Sequence, residues 1–280
     1  MKRISEDKAA DLARDIRTLL KVHAEAMGRI EEMLDKPSVP IAEAVAELAA
    51  MSRGFAANCH DVKFRYDWSI PPAPEWFDHF IDSYLLLRRD RNTFWMERGV
   101  YGVLALSRGG RVLELCCGDG YYTRNFYAPF AGSIVALDFD PDAIAHARRY
   151  NAAPNVEFRN ADIRKDIPKE TFDNVVWDAA IEHFTPDEMD GILKTVSSCL
   201  DGKGCLSGYT IVAMDSGKHL DQHEHEFTSM GELVDCLFTH FRNVKVFETV
   251  HPARHNLYFY ASDTVLPFDG HWPHVVEKRR

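Results

Sequence analysis

The sequence predicts an α/β fold: a mostly parallel sheet of seven strands with an antiparallel last strand, preceded by an α-helical N-terminal extension. Short apolar runs alternate with helix-forming segments from about residue 100 onward, which is typical of a sheet flanked by helices. A tight turn containing Gly118 and Gly120 directly follows the first apolar run. Before residue 36, apolar residues recur at helical spacing, which predicts the helical extension.

Residues 5–35 are predicted to form one long helix, because their apolar residues alternate at spacings of four and three. This stripe consists of Leu12, Ile16, Leu19, His23, Ala26, Ile30 and Met33. A second helix is expected from about Pro40, with Ile41, Val45 and Leu48 on one face. The pattern is compatible with an antiparallel hairpin, with a homodimer contact, or with a cap over the core.

Residues 54–74 are expected to be loop, because Pro71, Pro72 and Pro74 prevent a continuous helix. Residues 75–101 regain helical character and are rich in aromatic residues that either pack in the core or line a substrate pocket. These are Trp76, Phe77, Phe80, Tyr84, Phe94 and Trp95. We expect a helical extension over residues 1–100, a ligand-binding domain over 101–265 and a tail over 266–280.

Seven apolar runs are predicted as strands: residues 112–115, 133–138, 156–159, 173–178, 205–212, 244–247 and 256–260. The last two lie too close in sequence for a crossover helix and are expected to be antiparallel. Helix starts are predicted at Asp140, which precedes Pro141, and at the capping boxes that begin with Thr185 and Ser229. Residues 201–204 are expected to form a turn.

The segment VLELCCGDG, residues 112–120, indicates a binding site for a nucleoside-type ligand. Glycine lets the backbone turn sharply and approach a ligand closely, because it has no Cβ. The second strand ends in Asp138, about twenty residues later, where a carboxylate accepts hydrogen bonds from ribose hydroxyls. Asp162, after the third strand, is placed to accept from an adenine amino group.

This series of motifs resembles the class I S-adenosylmethionine-dependent methyltransferases, which have a Rossmann-like fold. The resemblance covers about residues 100–262 and rests on VLELCCGDG, LDFD, NADI and FDNVVWDAAIEHF. It implies S-adenosyl-L-methionine as cofactor, bound by Glu114, Cys116, Gly118, Gly120, Asp138, Phe139, Asp162, Ile163 and Asp178. Cys116 stands where the family pattern E/D-x-G-x-G-x-G has its first glycine, so the backbone there is expected to differ slightly.

A histidine and carboxylate cluster is predicted at the carboxyl edge of the sheet, where ligands bind in open α/β folds. It combines Glu182 and His183 with residues 219–226, a segment that includes His223 and His225. His183, His225 and Glu182 are the candidates for a general base or for orienting the methyl acceptor. Arg254 is expected to lie farther from the chemistry.

A divalent metal shared by these groups is the alternative. Glu182-His183 and His225-Glu226-Phe227 are similar to the metal-binding motifs of small-RNA 3′-terminal ribose 2′-O-methyltransferases. Their E-x-x-E-H pattern has an acid where this chain has Ala179, so a complete site is not expected.

The formal net charge of −10 disfavours binding to long nucleic acids, which requires many cationic contacts to phosphates. The sequence has no apolar run long enough to span a membrane and no signal-like apolar segment at its start, so a cytoplasmic protein is expected. The predicted function is methyl transfer from S-adenosylmethionine to an oxygen or nitrogen of a small-molecule or sugar-like acceptor. The alternatives are a metal-assisted RNA ribose 2′-O-methyltransferase and an inactive binding or assembly protein with the same fold.

Overall fold

The computed structural model describes residues 5–36, 41–67, 78–214, 217–251, 254–264 and 266. The chain divides into two compact units, Met1–Glu75 and Trp76–Arg280. Several sequence predictions lie outside the described residues: the three prolines at 71, 72 and 74, the aromatic residues Trp76 and Phe77, and the tail over 266–280 apart from Leu266. No helix among the described residues is long and apolar enough to cross a membrane.

The first unit is a pair of antiparallel helices, α1 (Glu6–Leu34) and α2 (Ile41–Asp67). The His23 ring stacks on Phe55 at 3.9 Å between centroids, and Arg65 forms a 2.8 Å ion pair with Asp15. The expected loop is wrong for residues 54–67, which continue α2. That segment contains no proline, and its single glycine, Gly54, costs only about 1 kcal/mol in a helix.

The second unit begins with two helices, α3 (His79–Asp90) and α4 (Phe94–Ala105), in the region predicted to be helical. The break falls at Arg91, whose φ of 54° is incompatible with a continuing helix. After the break, the side chain of Asn92 accepts a hydrogen bond from the backbone N–H of Phe94 at 3.0 Å. The helical prediction therefore holds for two short helices rather than one long one.

One seven-stranded sheet follows, in the order β3-β2-β1-β4-β5-β7-β6. Its strands are β1 (Arg111–Leu115), β2 (Ser133–Asp138), β3 (Val156–Asn160), β4 (Phe172–Asp178), β5 (Leu200–Ile211), β6 (Asn243–His251) and β7 (Arg254–Ser262). All neighbouring pairs are parallel except those of β7, which is antiparallel to β5 and β6. The predicted fold class is confirmed.

The turn expected at residues 201–204 lies inside β5 instead. Leu200 pairs with Phe172, the register then shifts, and Cys205 pairs with Asn174. The extra residues are accommodated as an irregularity in the strand, so the segment does not leave the sheet.

The remaining helices begin where their capping residues predict. They are α5 (Pro141–Tyr150), α6 (Pro186–Cys199) and α7 (Met230–Phe238), with short helical turns at Thr123–Tyr127 and Ile181–His183. Asp140 caps α5, and Thr185 forms a complete capping box on α6. Ser229 caps α7, but the Glu232 side chain bonds to Thr228 instead of completing the box.

The sheet is buried on both faces. Leu113 and Leu115 of β1 belong to a hydrophobic cluster that includes Trp177 and the apolar face of α6. Val112, pointing the other way, belongs to a second cluster with Tyr127 and Ile144 of α5. Burial on both faces explains why the central strands β1, β2 and β4 consist largely of apolar residues. It also leaves the ends of the strands as the accessible positions for polar chemistry.

Candidate active site

The carboxyl ends of β1 and β4 lie side by side at the centre of the sheet. From β1 the chain proceeds to β2 and β3 on one side, and from β4 it proceeds to β5 on the other. Such a reversal of strand order opens a crevice between the loops, which is where open α/β sheets bind ligands. The predicted cofactor and acceptor residues follow strands on the two sides of this crevice.

The glycine loop after β1 is tied to the end of β2. The backbone N–H of Gly118 donates to Asp138 Oδ2 at 2.8 Å, and that of Asp140 donates to Oδ1 at 2.9 Å. Gly120 has a φ of 73°, and a Cβ there would lie 2.7 Å from the ring of Phe158. Glycine at 120 therefore allows the loop to pack closely against β3.

Cys116 replaces the first glycine of the motif but keeps a left-handed backbone, with a φ of 58°. A side chain in this region is strained, because its Cβ crowds the backbone carbonyl. Burial raises the pKa of the Cys116 thiol, so the side chain is a neutral thiol in a tight turn. The departure from the family pattern thus changes the side chain while retaining the backbone conformation that glycine favours.

Glu114 is a buried acid at the end of β1. It is 3% exposed and accepts a hydrogen bond from Thr123 Oγ1 at 2.6 Å. Burial raises its pKa to about 8, because charging the carboxylate away from water is unfavourable. A cationic group close to Glu114 would favour the ionised form.

The side chains at the ends of β2 and β3 are suited to binding a nucleoside. Asp138 accepts hydrogen bonds from two backbone N–H groups, and a carboxylate has about four lone-pair sites. Phe139 is 55% exposed, so its ring is available to an aromatic base. Ile163 is buried, and Asp162 accepts hydrogen bonds from Arg164, which lower the pKa of Asp162.

The start of α3 is fastened to the glycine loop. Asp119 accepts hydrogen bonds from the backbone N–H and from Nδ1 of His79, both at 2.9 Å, and from the backbone of Tyr121 at 3.0 Å. Although burial alone would raise the pKa of Asp119, these contacts with His79 and Tyr121 lower it. This pair could not be predicted from the sequence, because nothing in the spacing connects residue 79 to residue 119.

Asp178, at the end of β4, is paired with Arg98 of α4. Both side chains are buried, and the Arg98 guanidinium also lies 4.5 Å from the centroid of the Tyr122 ring. The surroundings of Asp178 thus include a cation that the sequence motifs do not indicate. The helix carrying Arg98 was recognised only as aromatic-rich, although an arginine among aromatic residues is a usable signal for such a pair.

The acceptor-side loops after β4 and β5 are joined through Glu182. Its backbone carbonyl accepts from the N–H groups of Glu224 and His225 at 2.9 and 3.1 Å, and its carboxylate accepts from Thr210 at 3.0 Å. His183 lies edge-on to His223, with 4.8 Å between ring centroids. Glu182, His183 and His223 each offer a ligand atom within 4.8 Å of the others.

His225 lies outside this group. Its Nε2 is 2.9 Å from Glu232 Oε1 at the start of α7. His223, two residues earlier, is the histidine that meets His183, and burial lowers the pKa of His223. The candidate predicted from the sequence was His225, and spacing alone does not distinguish it from His223, two residues away in the same loop.

Arg254 lies at the same edge of the sheet rather than away from it. Ile211, the last residue of β5, pairs with Asn256, so the turn between β6 and β7 reaches the carboxyl edge. Arg254 Nη1 donates to the hydroxyl of Tyr209 at 3.2 Å, and Tyr209 pairs in register with Asp178. No carboxylate contacts the Arg254 guanidinium within the described ranges.

Comparison with known proteins identifies the domain that this geometry belongs to. Residues 112–204 match a family model described as a methyltransferase domain. The chain carries a class I S-adenosylmethionine-dependent methyltransferase domain. This confirms the family and the S-adenosylmethionine cofactor inferred from the motifs.

Curated relatives match only part of this chain. Trans-aconitate 2-methyltransferase of Mycobacterium tuberculosis is 31% identical over 122 residues, 43% of this chain and 44% of the relative. A probable S-adenosylmethionine-dependent methyltransferase of Mycolicibacterium smegmatis is 37% identical over 95 residues, 32% of this chain and 35% of the relative. The chain thus spans less than half the length of these curated relatives.

Among solved structures, the N-methyltransferase NodS from Bradyrhizobium japonicum WM9 is similar in fold. It is 20% identical, covers 62% of this chain and 99% of its own, and superposes with a TM-score of 0.51. At this identity the similarity supports the methyltransferase fold, and the roles of individual side chains depend on the geometry above.

Proposed function

We propose that this protein transfers a methyl group from S-adenosylmethionine to an oxygen or nitrogen of a small-molecule or sugar-like acceptor. The observation that carries the proposal is the link between the glycine loop and Asp138, with the exposed ring of Phe139 beside it. The bound cofactor supplies a methyl group on a positively charged sulfur.

On the cofactor side, the residues of this chain bind and orient. Two backbone N–H groups orient the Asp138 carboxylate, which would accept hydrogen bonds from the ribose hydroxyls. Phe139 would pack on the adenine. Glu114, Cys116, Gly118 and Gly120 would line the methionine part, and Asp162, Ile163 and Asp178 complete the predicted set.

On the acceptor side, Glu182 and His183 orient the acceptor at the end of β4. Their position is fixed by the backbone bonds from Glu224 and His225. Methyl transfer requires an in-line approach, so holding the acceptor in place supplies much of the rate. His225 stays a predicted general base, and its contact with Glu232 holds it near the start of α7.

Arg254 supports an acceptor that carries a negative charge. Its guanidinium lies over the ring of Phe94, 4.9 Å from the centroid, and is bonded to a neutral hydroxyl. A carboxylate or phosphate on the acceptor would pair with it. Trans-aconitate, a tricarboxylate named in the mycobacterial relative, is therefore the first acceptor to assay.

Calorimetric titration with S-adenosylhomocysteine tests the cofactor site. We expect Asp138→Ala to lose affinity and some stability, because the glycine loop loses its anchor. Phe139→Ala should lose affinity without losing stability, because that ring is already exposed. Tyr150→Ala removes an equally exposed ring, 60% accessible on α5, and should leave affinity unchanged. No binding by the wild type, or unchanged binding by Asp138→Ala, would refute the assignment.

Turnover of an identified acceptor tests the acceptor side. His183→Ala should reduce kcat, and intact turnover in His225→Ala would remove His225 from the mechanism. The same assays separate the alternatives. Cofactor binding without turnover of any acceptor favours an inactive binding protein, and turnover of RNA ends but not of small molecules favours the ribose methyltransferase.

A homodimer through α1 and α2 and a cytoplasmic location are also proposed, as is a helical extension that ends near residue 100. Exposed apolar side chains support the dimer: Ile16, Leu20, Ile41 and Val45 are each more than 40% accessible. Light scattering should give the mass of two chains. Replacement of Ile16 and Val45 by glutamate should give the mass of one.

A further inference from the structure

We propose that Glu182, His183 and His223 form a binding site for one divalent first-row transition-metal ion. Two imidazoles and one carboxylate converge there, with one ligand atom from each within 4.8 Å of the others. The inference goes beyond the proposed function and does not depend on it, because ion binding can be measured on the protein alone.

The hydrogen bonds of His183 and His223 leave one nitrogen of each imidazole available to coordinate a metal ion. His223 Nδ1 contacts the carboxylate of Glu226, and His183 Nδ1 contacts the backbone carbonyl of Gln222 at 3.3 Å. A carboxylate and a carbonyl only accept, so Nδ1 carries the proton in both rings. In a neutral imidazole the lone pair is then on Nε2, the atom free to coordinate an ion.

The supporting residues have the arrangement found around metal-bound histidines. These usually donate their second N–H to a carboxylate or a carbonyl, which fixes the ring and increases its basicity. Glu226 is itself fixed by the backbone N–H of His219 at 2.7 Å and by the His219 ring at 3.0 Å. Lys218 donates to the backbone carbonyl of His223. This loop is therefore held in place by its own side chains.

The carboxylate of the site is also positioned. Glu182 is 3% exposed and His223 is 2% exposed, so water does not compete freely for either. Thr210 Oγ1 donates to Oε2 of Glu182, while Oε1 accepts no hydrogen bond within the part of the chain that the structure describes. The three ligands come from two loops that are fastened together by backbone bonds to the Glu182 carbonyl.

The donor set selects the ion. Imidazole suits zinc, iron, cobalt and related ions, whereas magnesium and calcium prefer oxygen ligands only. Three protein ligands leave positions open for water or for oxygen atoms of an acceptor. A second group, Asp78, Asp119 and His146, also converges, but the Asp119 oxygens already bind His79 and Tyr121.

Titration of chelator-treated protein with Co²⁺, followed by visible absorption and by competition with Zn²⁺, tests the site. We expect one ion per chain. His223→Asn and Glu182→Gln should each weaken binding at least a hundredfold. Glu226→Gln, which removes only the supporting carboxylate, should weaken it by about 10–100-fold.

His225→Asn is the matched control for ion binding, since His225 is in the same loop but outside the cluster. Its affinity for Co²⁺ should stay within about threefold of the wild type. Circular dichroism shows whether each variant is folded. If a variant is unfolded, His183→Asn is used in its place, because His183 is less buried than the other two ligands. The proposal is overturned if the wild type binds neither ion, or if His225→Asn loses as much affinity as His223→Asn.

Discussion

Arg98 and Asp178 form a buried ion pair that connects α4 to the end of β4. Nε and Nη2 of Arg98 both donate to Oδ2 of Asp178, at 2.9 and 2.6 Å. The guanidinium is enclosed by the rings of Trp95, Tyr122 and Tyr209. Asp178 also marks the end of the strand that leads to Glu182. The pair therefore holds a helix against the edge of the candidate active site.

Removal of one partner of this pair should be strongly destabilising. Arg98→Met keeps an apolar stem of similar length but leaves the Asp178 carboxylate buried without its cation. We expect a loss of about 3–5 kcal/mol in the free energy of unfolding, measured by urea denaturation. The double variant with Asp178→Asn should recover part of that loss, because no charge is then left unpaired. Equal losses in the single and double variants would contradict this account.

Cys116→Gly should be tolerated. Glycine relieves the left-handed strain of about 1–2 kcal/mol and loses about 0.5–1 kcal/mol through its more flexible unfolded state, so stability should change by less than about 1 kcal/mol. Cys117→Gly is the matched control, since Cys117 is buried and does not have a positive φ. It should be destabilised by more than Cys116→Gly in thermal unfolding. A larger loss in Cys116→Gly would show that its side chain matters more than its backbone.

Glu114→Gln should change how stability depends on pH. Glu114 keeps its proton to about pH 8 when folded and releases it near pH 4.5 when unfolded. Between these values the folded state binds the extra proton, so this group makes wild-type stability fall as pH rises. Glutamine does not titrate, and the variant should gain roughly 2–4 kcal/mol relative to wild type between pH 5 and pH 8. Urea unfolding without cofactor measures this difference, and a difference independent of pH would be contrary to it.

Arg254→Ala should affect acceptor binding alone. With an anionic acceptor we expect KM to rise about tenfold, because the variant loses one charge-assisted contact worth about 1.4 kcal/mol. The kcat and the affinity for S-adenosylhomocysteine should stay close to wild type. Arg159→Ala is the control, because Arg159 is in β3 at the opposite edge of the sheet. The same increase in KM for a neutral acceptor would indicate a packing role for Arg254.

Much of the fold could be predicted because its signals are local. The central strands β1, β2 and β4 each contain a short apolar run, and Asp140 and Thr185 cap their helices as expected. The predicted end of α2 was wrong, because the prolines at 71, 72 and 74 disfavour a helix at their own positions but do not show where the preceding helix ends. The residues 201–204 look like a turn, yet pairing with β4 keeps them in a strand.

The parts of the candidate site that depend on tertiary contacts were harder to predict from the sequence. Gly118 and Asp138 were found because their spacing is fixed by the strand order. Arg98 was missed because its partner lies 80 residues away. Spacing could not show which of His223 and His225 lies beside His183, because the fold of the loop decides which ring turns toward it.

The strand order has a consequence for how such a protein diversifies. Apart from Asp178 at the end of β4, the cofactor candidates lie in or after β1, β2 and β3, whereas Glu182 and His183 follow β4 and Arg254 begins β7. Changes on the second side can therefore accumulate without disturbing the nucleoside pocket. A lineage with this architecture can explore new acceptors one loop at a time while its donor chemistry stays constant.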